Sequence, residues 1–212
     1  MTTYDVTEDT AVGVVKAVAA LQRGDLVVLP TDTVYGVAAD AFSPEAVERL
    51  LAAKGRGRDM PVPVLVGDAR GLHGLAAEVT EQMQALVDAH WPGPLTIIVP
   101  AAPSLAWDLG ETRGTVAVWM PQHPVALDVL SSTGPLAVSS ANRTGHPAPA
   151  TADEAERQLG AAVAVYLEAG SSGEAVASTI VDLTGDRPVV RRIGALPVEL
   201  LREVLPELDT PL

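Results

Sequence analysis

The sequence predicts an α/β fold with one mixed sheet flanked by helices. Short apolar runs of strand length alternate with amphipathic segments of helical period along the chain. Several neighbouring strand-like runs, such as 95–99 and 115–119, have no helix between them, which a purely parallel sheet would need. The 212 residues show no repeat and no linker-like shift in composition. One domain over 1–212, with its core at about 10–205, is the economical arrangement.

Each element has a local reason. Thr7–Leu21 reads as a helix, capped by Thr7 and ended by Gly24, with Ala11, Val14, Val15, Val18 and Leu21 on its apolar face. Leu26–Leu29 is a strand stopped by Pro30, and Thr31–Gly36 a polar loop. Ser43-Pro44 starts a helix that buries Val47, Leu50 and Leu51 and carries Lys54 at its end. Pro61–Val66 reads as a strand, moved towards an edge by Pro61 and Pro63. Thr80–His90 is a helix with Met83, Leu86, Val87 and His90 on one stripe. Leu95–Val99, Thr115–Trp119, Leu136–Val138 and Val163–Leu167 read as strands, and Pro124–Leu130 as a short helix. Thr151 and Glu154 form a capping box for a helix reaching about Gly160. Thr179–Leu183 and Val189–Arg192 form a hairpin around Gly185-Asp186-Arg187-Pro188, and Leu196–Leu205 is a closing helix.

Composition narrows the function classes. Formal net charge is −13, which argues against a broad basic footprint for nucleic acid but leaves room for a local basic pocket. The chain has no cysteine, so disulfides, Cys-ligated zinc and a thiol nucleophile are excluded, and a cytoplasmic setting is expected. MTTYDVTEDT has no apolar core and does not read as a signal peptide. No run approaches the roughly 18 apolar residues that span a bilayer. The usual phosphate motifs, the G-x-S-x-G elbow and any metal spacing among the four histidines are missing.

What remains is a set of polar loops and a cationic knot. TDTVYG and SSANRTG each follow a short apolar strand, and strand exits in α/β sheets are where ligands bind. Lys54, Arg56 and Arg58, separated by Gly55 and Gly57, close the helix after the first loop. Such a cluster suits either a solvated helix C-terminus or an anion site where glycines let the backbone come close to phosphate.

PTDTVYGVAADA, the KGR of Lys54–Arg56, WPGPLTIIV, TVAVWMP, the SxN of Ser140–Asn142, STIVD and the RxG of Arg192–Gly194 occur in order over nearly the whole chain. Together they resemble the YrdC-like threonylcarbamoyl-AMP synthase family in its single-domain form. The resemblance implies a twisted open mixed sheet around a concave, positively charged cavity. It implies an enzyme, a nucleotidyltransferase joining L-threonine, bicarbonate and ATP into L-threonylcarbamoyladenylate with release of pyrophosphate. Downstream proteins would then transfer the threonylcarbamoyl group to tRNA. By the same resemblance Thr33, Tyr35 and Ser178 would serve threonine, Lys54 and Arg56 would be the catalytic, phosphate-binding cations, and Thr115, Ser140, Asn142 and Arg192 would complete the ATP site. Mg²⁺ would be held mainly by the ATP phosphates. Little direct tRNA affinity and no membrane contact are expected.

The chemistry agrees with that assignment. A threonine carbamate and a triphosphate are both anions, so cations and in-line placement matter more than a general base. Three positions depart from the family pattern: Trp119 stands where members usually have Arg, and Met60 and Leu65 where some have Asn and His. An indole cannot replace a guanidinium on a carboxylate. Arg113 and Arg143 are the candidate substitutes. Two alternatives follow: a nucleotide- or RNA-binding relative without synthase activity, or a carbamoyl-adenylate enzyme with another substrate.

Overall fold

A computed structural model describes residues 1–173 and 175–210. Ten strands form one mixed sheet in the order β1-β8-β2-β3-β7-β4-β6-β5-β9-β10. They are β1 (Thr2–Asp5), β2 (Val27–Leu29), β3 (Gly36–Asp40), β4 (Val64–Leu65), β5 (Leu95–Pro100), β6 (Thr115–Trp119), β7 (Leu136–Ser140), β8 (Val165–Glu168), β9 (Thr179–Asp182) and β10 (Val189–Arg192). The helices are α1 (Thr10–Gln22), α2 (Pro44–Lys54), α3 (Leu72–Leu75), α4 (Glu81–His90), α5 (Pro124–Thr133), α6 (Ala152–Leu159) and α7 (Val198–Val204). β1–β8, β2–β8, β4–β6 and β5–β9 pair parallel, while β2–β3, β3–β7, β4–β7, β5–β6 and β9–β10 pair antiparallel.

The alternation of side chains along each strand separates two cores. Val28, Val37, Ala39, Leu95, Ile97, Val99, Val116, Val118 and Val181 face one side, where α2, α3, α4, α6 and α7 pack. Val27, Leu29, Ala38, Leu136, Val138 and Trp119 face the other, with α1 and α5. Helix α1 packs on α5 and on β1, β2, β3 and β8. On that same face Ala117, Thr96, Ile98 and Ile180 belong to neither core and line a hollow instead. A sheet face left without helical cover is thus the floor of the candidate site.

Several expectations need correcting. Helix α1 begins at Thr10, and its cap is Asp9, whose side chain accepts from Val12 N. Thr7 instead donates to Asp5 Oδ1 through both its backbone N–H and its hydroxyl. The buried face of α1 is Gly13, Ala17, Ala20 and Leu21, whereas Val15 is 64% exposed. Small residues win because the helix lies close to β1 and its following turn: a Cβ on Gly13 would stand 2.5 Å from Val6 Cγ1. Strands β1 and β3 were not expected. Thr2–Asp5 lacks an apolar run, and its three exposed residues explain why. β4 is shorter than expected and is interior, between β7 and β6, although Pro61 and Pro63 suggested an edge. The prolines sit just before the ladder, where Pro63 O accepts from Val138 N.

Candidate functional site

Two loops and one hairpin meet over the uncovered floor. Pro30 ends β2, and Thr31 folds the next turn. Its hydroxyl donates to Val34 O at 2.6 Å and lies 3.1 Å from Thr33 Oγ1. The chain then re-enters the sheet as β3 at Gly36, opposite Ser140 of β7. A Cβ on Gly36 would come within 2.6 Å of Val138 Cγ1, so only glycine lets the two strands meet at the cavity.

Helix α2 delivers the cations. Ser43 caps it by accepting from Ala46 N, Pro44 opens it, and Gly55 at φ 61° ends it in the left-handed region. Arg56 then turns back: its Nε donates to Met60 O at 2.7 Å, and its terminal nitrogens to Pro61 O and Ser139 Oγ, both at 3.0 Å. Burial depresses its pKa, opposed by the charge of Asp59. Arg192 comes from β10 and donates to Ser178 O at 2.8 and 3.0 Å and to Ser178 Oγ at 3.1 Å. Its pKa is also lowered, first by burial and second by the charge of Arg56. Gly194 allows this approach, since a Cβ there would sit 2.2 Å from Ala177 O.

The resulting cavity has a volume of about 260 Å³. Thr31, Thr33, Thr96, Ser139, Ser140 and Ser178 supply its hydroxyls, and Arg56 and Arg192 its charges. Trp119, Ile98, Ala117, Ile180, Val34 and Val138 supply its apolar wall. Neither arginine makes an ion pair among the described residues. Two guanidinium groups, with the charge of Arg56 felt at Arg192 and both hydrogen-bonded to neutral oxygens, form a seat for an anion.

The structure thus brings Thr33, Arg56, Ser140, Ser178 and Arg192 to one cavity. The other expected residues stand behind or beside it. Lys54 is buried, and its ammonium donates to Ser140 O and, at 2.6 Å, to Asn142 O. Burial is the main cause that brings its pKa down to about 8, with Arg56 second. Asn142 is also buried, and its Nδ2 donates to Arg143 O and His146 O. Tyr35 points away from the cavity: its hydroxyl donates to Gly170 O at 2.6 Å and meets Glu168 Oε1 at 3.1 Å. Thr115 donates to Thr112 O at 2.8 Å and lines an adjoining hollow of about 60 Å³, which shares Pro61, Ile98 and Ala117 with the main cavity. Arg113 and Arg143 do not line the main cavity, whereas Trp119 does.

Sequence reasoning missed Thr31, Thr96 and Ser139. Thr96 lies inside an apolar strand, and its hydroxyl pairs with Ser178 Oγ at 2.7 Å. The available signal was the period: Thr96 breaks the run Leu95–Val99 on the face opposite Leu95 and Ile97.

Comparisons with known proteins follow the same outline. The family model for the Sua5/YciO/YrdC domain, described as telomere recombination, matches residues 19–194. A Mycobacterium tuberculosis protein with a provisional threonylcarbamoyl-AMP synthase name is 54% identical over 198 residues, covering 93% of this chain and 91% of that one. The threonylcarbamoyl-AMP synthase of Bacillus subtilis is 35% identical over 95% of this chain and 60% of its own length. The crystal structure of Pyrococcus abyssi Sua5 complexed with L-threonine superposes with a TM-score of 0.90 at 34% identity, over 93% of this chain and 58% of that one. The chain therefore spans about three fifths of these last two relatives. With the uncovered sheet face, the two arginines and these matches in hand, the chain is a member of the Sua5/YciO/YrdC family.

Proposed function

We propose that the protein is an L-threonylcarbamoyl-AMP synthase, a nucleotidyltransferase that condenses L-threonine, bicarbonate and ATP and releases pyrophosphate. One observation carries this most directly. Arg56 and Arg192, which make no ion pair among the described residues, face a single cavity rich in hydroxyls. The names of the relatives and the threonine bound by the Pyrococcus abyssi protein support the choice of amino acid.

The threonine nitrogen, carboxylated by bicarbonate with loss of water, becomes a carbamate. A carbamate oxygen forms the new bond to the α-phosphorus, and the bond to pyrophosphate breaks. Both partners are negative, and negative charge grows on the leaving group. Arg56 and Arg192 offset that repulsion, and the hydroxyls of Ser139, Ser140 and Ser178 donate to oxyanions. About 260 Å³ falls below the roughly 300–1,000 Å³ of usual ligand pockets. The reacting carbamate and phosphates occupy it, with the nucleoside reaching over the hollow at Thr115. Lys54 and Asn142 belong to the nucleotide half through the Ser140–Asn142 loop, and Lys54 reaches phosphate by exchanging a carbonyl for it. Thr33 and Ser178 serve threonine, and Tyr35 anchors the wall behind them.

Among the described residues the lining carries no carboxylate, and no metal-holding cluster of three acidic or histidine groups occurs. A Mg²⁺ ion therefore fits this site only as a companion of the triphosphate, with hydroxyls and water completing its shell. A cytoplasmic setting and hand-over to tRNA-modifying proteins complete the proposal. No helix among the described residues is long and apolar enough to cross a membrane.

The test is pyrophosphate release from ATP and bicarbonate with and without threonine. Threonine-dependent release is expected, and Arg56→Ala and Arg192→Ala should each lower kcat by roughly 10²–10³-fold. Release that ignores threonine would point to another carbamoyl acceptor. No release with any amino acid would leave a nucleotide-binding relative.

A further inference from the structure

We propose that Trp119 sets the size of the amino-acid side chain that the cavity accepts. The inference deepens the threonine reading and rests on it.

Trp119 ends β6 and lies between Leu65 of β4 and Thr96 of β5 in the ladder. Its backbone carbonyl accepts from Val66 N at 3.0 Å. Its indole Nε1 donates to Gly93 O at 2.6 Å. The back of the ring joins the core of Leu65, Val125, Leu130 and Leu136. Only 7% of the residue is exposed, and it lines the cavity. Strand, hydrogen bond and core thus fix the ring from three sides, and the indole has no polar atom left to offer. A wall of that kind cannot swing aside for a larger ligand without breaking a buried hydrogen bond.

The neighbours define what such a wall selects. Thr96 stands opposite Trp119 in the antiparallel pair, and its hydroxyl pairs with Ser178 Oγ, which accepts from Arg192. Two residues earlier on the same face, Ala117 leaves room that Trp119 does not. A ligand here meets an indole beside two hydroxyls. That surface suits a short side chain with one methyl and one hydroxyl, and it rejects branched chains that reach further. One extra methylene against a rigid apolar wall is worth about 10–200-fold in discrimination.

The experiment measures calorimetric binding of glycine, serine, threonine, valine and leucine to the wild type, Trp119→Phe and Trp119→Leu, with circular dichroism to verify folding. Pyrophosphate release is assayed in parallel. The wild type should bind leucine at least roughly tenfold more weakly than threonine. Both variants should narrow that ratio, and Trp119→Leu should do so by about tenfold. Wild-type protein that binds leucine as well as threonine, or binds none of the series, overturns the proposal whether or not the variants fold. An unchanged ratio in a folded variant overturns it too. A shifted binding ratio without pyrophosphate release supports the wall and removes the synthase reading instead.

Discussion

Lys54 shows how one side chain can be chemically legible and still be placed unexpectedly. Its spacing to Arg56 points to an anion site or a solvated helix end, yet its ammonium is held by Ser140 O and Asn142 O. Its pKa falls from 10.5 to about 8, so the charged form is disfavoured by folding. Below about pH 8 both states hold the proton and the penalty is complete. Between about 8 and 10.5 the unfolded chain binds more protons, so this group raises stability as pH rises. Tyr35 and Tyr166, both pushed up by burial, act oppositely above about pH 10, because the unfolded tyrosines ionise first. Urea unfolding at about pH 8 and about pH 9.5 therefore isolates the lysine. The wild type should gain stability across that interval. Lys54→Met should flatten the gain and lose about 1–3 kcal/mol overall, since two carbonyls lose their donor. Thr33, Arg56, Ser140, Ser178 and Arg192, which the motif resemblance singled out, line one cavity. Ser139, a partner of Arg56, was not legible in the sequence, because that hydroxyl, 83 positions away, reaches Arg56 only when the end of α2 meets β7.

At the scale of the element, local chemistry set most boundaries. Ser43-Pro44, Thr80 and Thr151 cap their helices as their side chains suggest, each accepting from the N–H three residues on. The capping box at Thr151 is altered, since Glu154 Oε2 takes Ala150 N rather than the Thr151 N–H. Helix α1 kept part of its expected face, with Leu21 buried and Val14 and Val18 packed against the core, but Ala11 and Val15 face solvent because its closest approach to the sheet takes Gly13, Ala17 and Ala20. The β9–β10 hairpin formed as expected, with a register shift between Val190 and Arg192. That irregularity and Gly194 seat Arg192 against Ser178. Gly194→Ala should cost about 1–3 kcal/mol and also weaken ATP binding, because its Cβ meets backbone that cannot yield cheaply. Chemical denaturation and nucleotide titration check the two halves of that expectation. Weaker folding with unchanged ATP affinity would separate the hairpin from the anion seat.

For the whole molecule, a net charge of −13 coexists with two arginines in one hollow that make no ion pair among the described residues. ATP binding to the folded state should therefore raise the unfolding midpoint, by an amount equivalent to about 2.7 kcal/mol at a hundredfold excess over Kd. Thermal unfolding with ATP, with and without the Arg56→Ala and Arg192→Ala changes, checks this. The shift should shrink in either variant and with added salt. The sequence by itself determined the class of fold, the mixed sheet, most helix starts and the motif residues that carry the resemblance. Those depend on interactions within a few residues, or on matching in order along the chain. Only the tertiary structure decided that β3 and β4 are interior, that α1 and α5 leave Thr96, Ile98, Ala117 and Ile180 uncovered, and that Trp119 walls the exposed floor. Those outcomes depend on which strands become neighbours across large sequence separations, and no local preference encodes that choice.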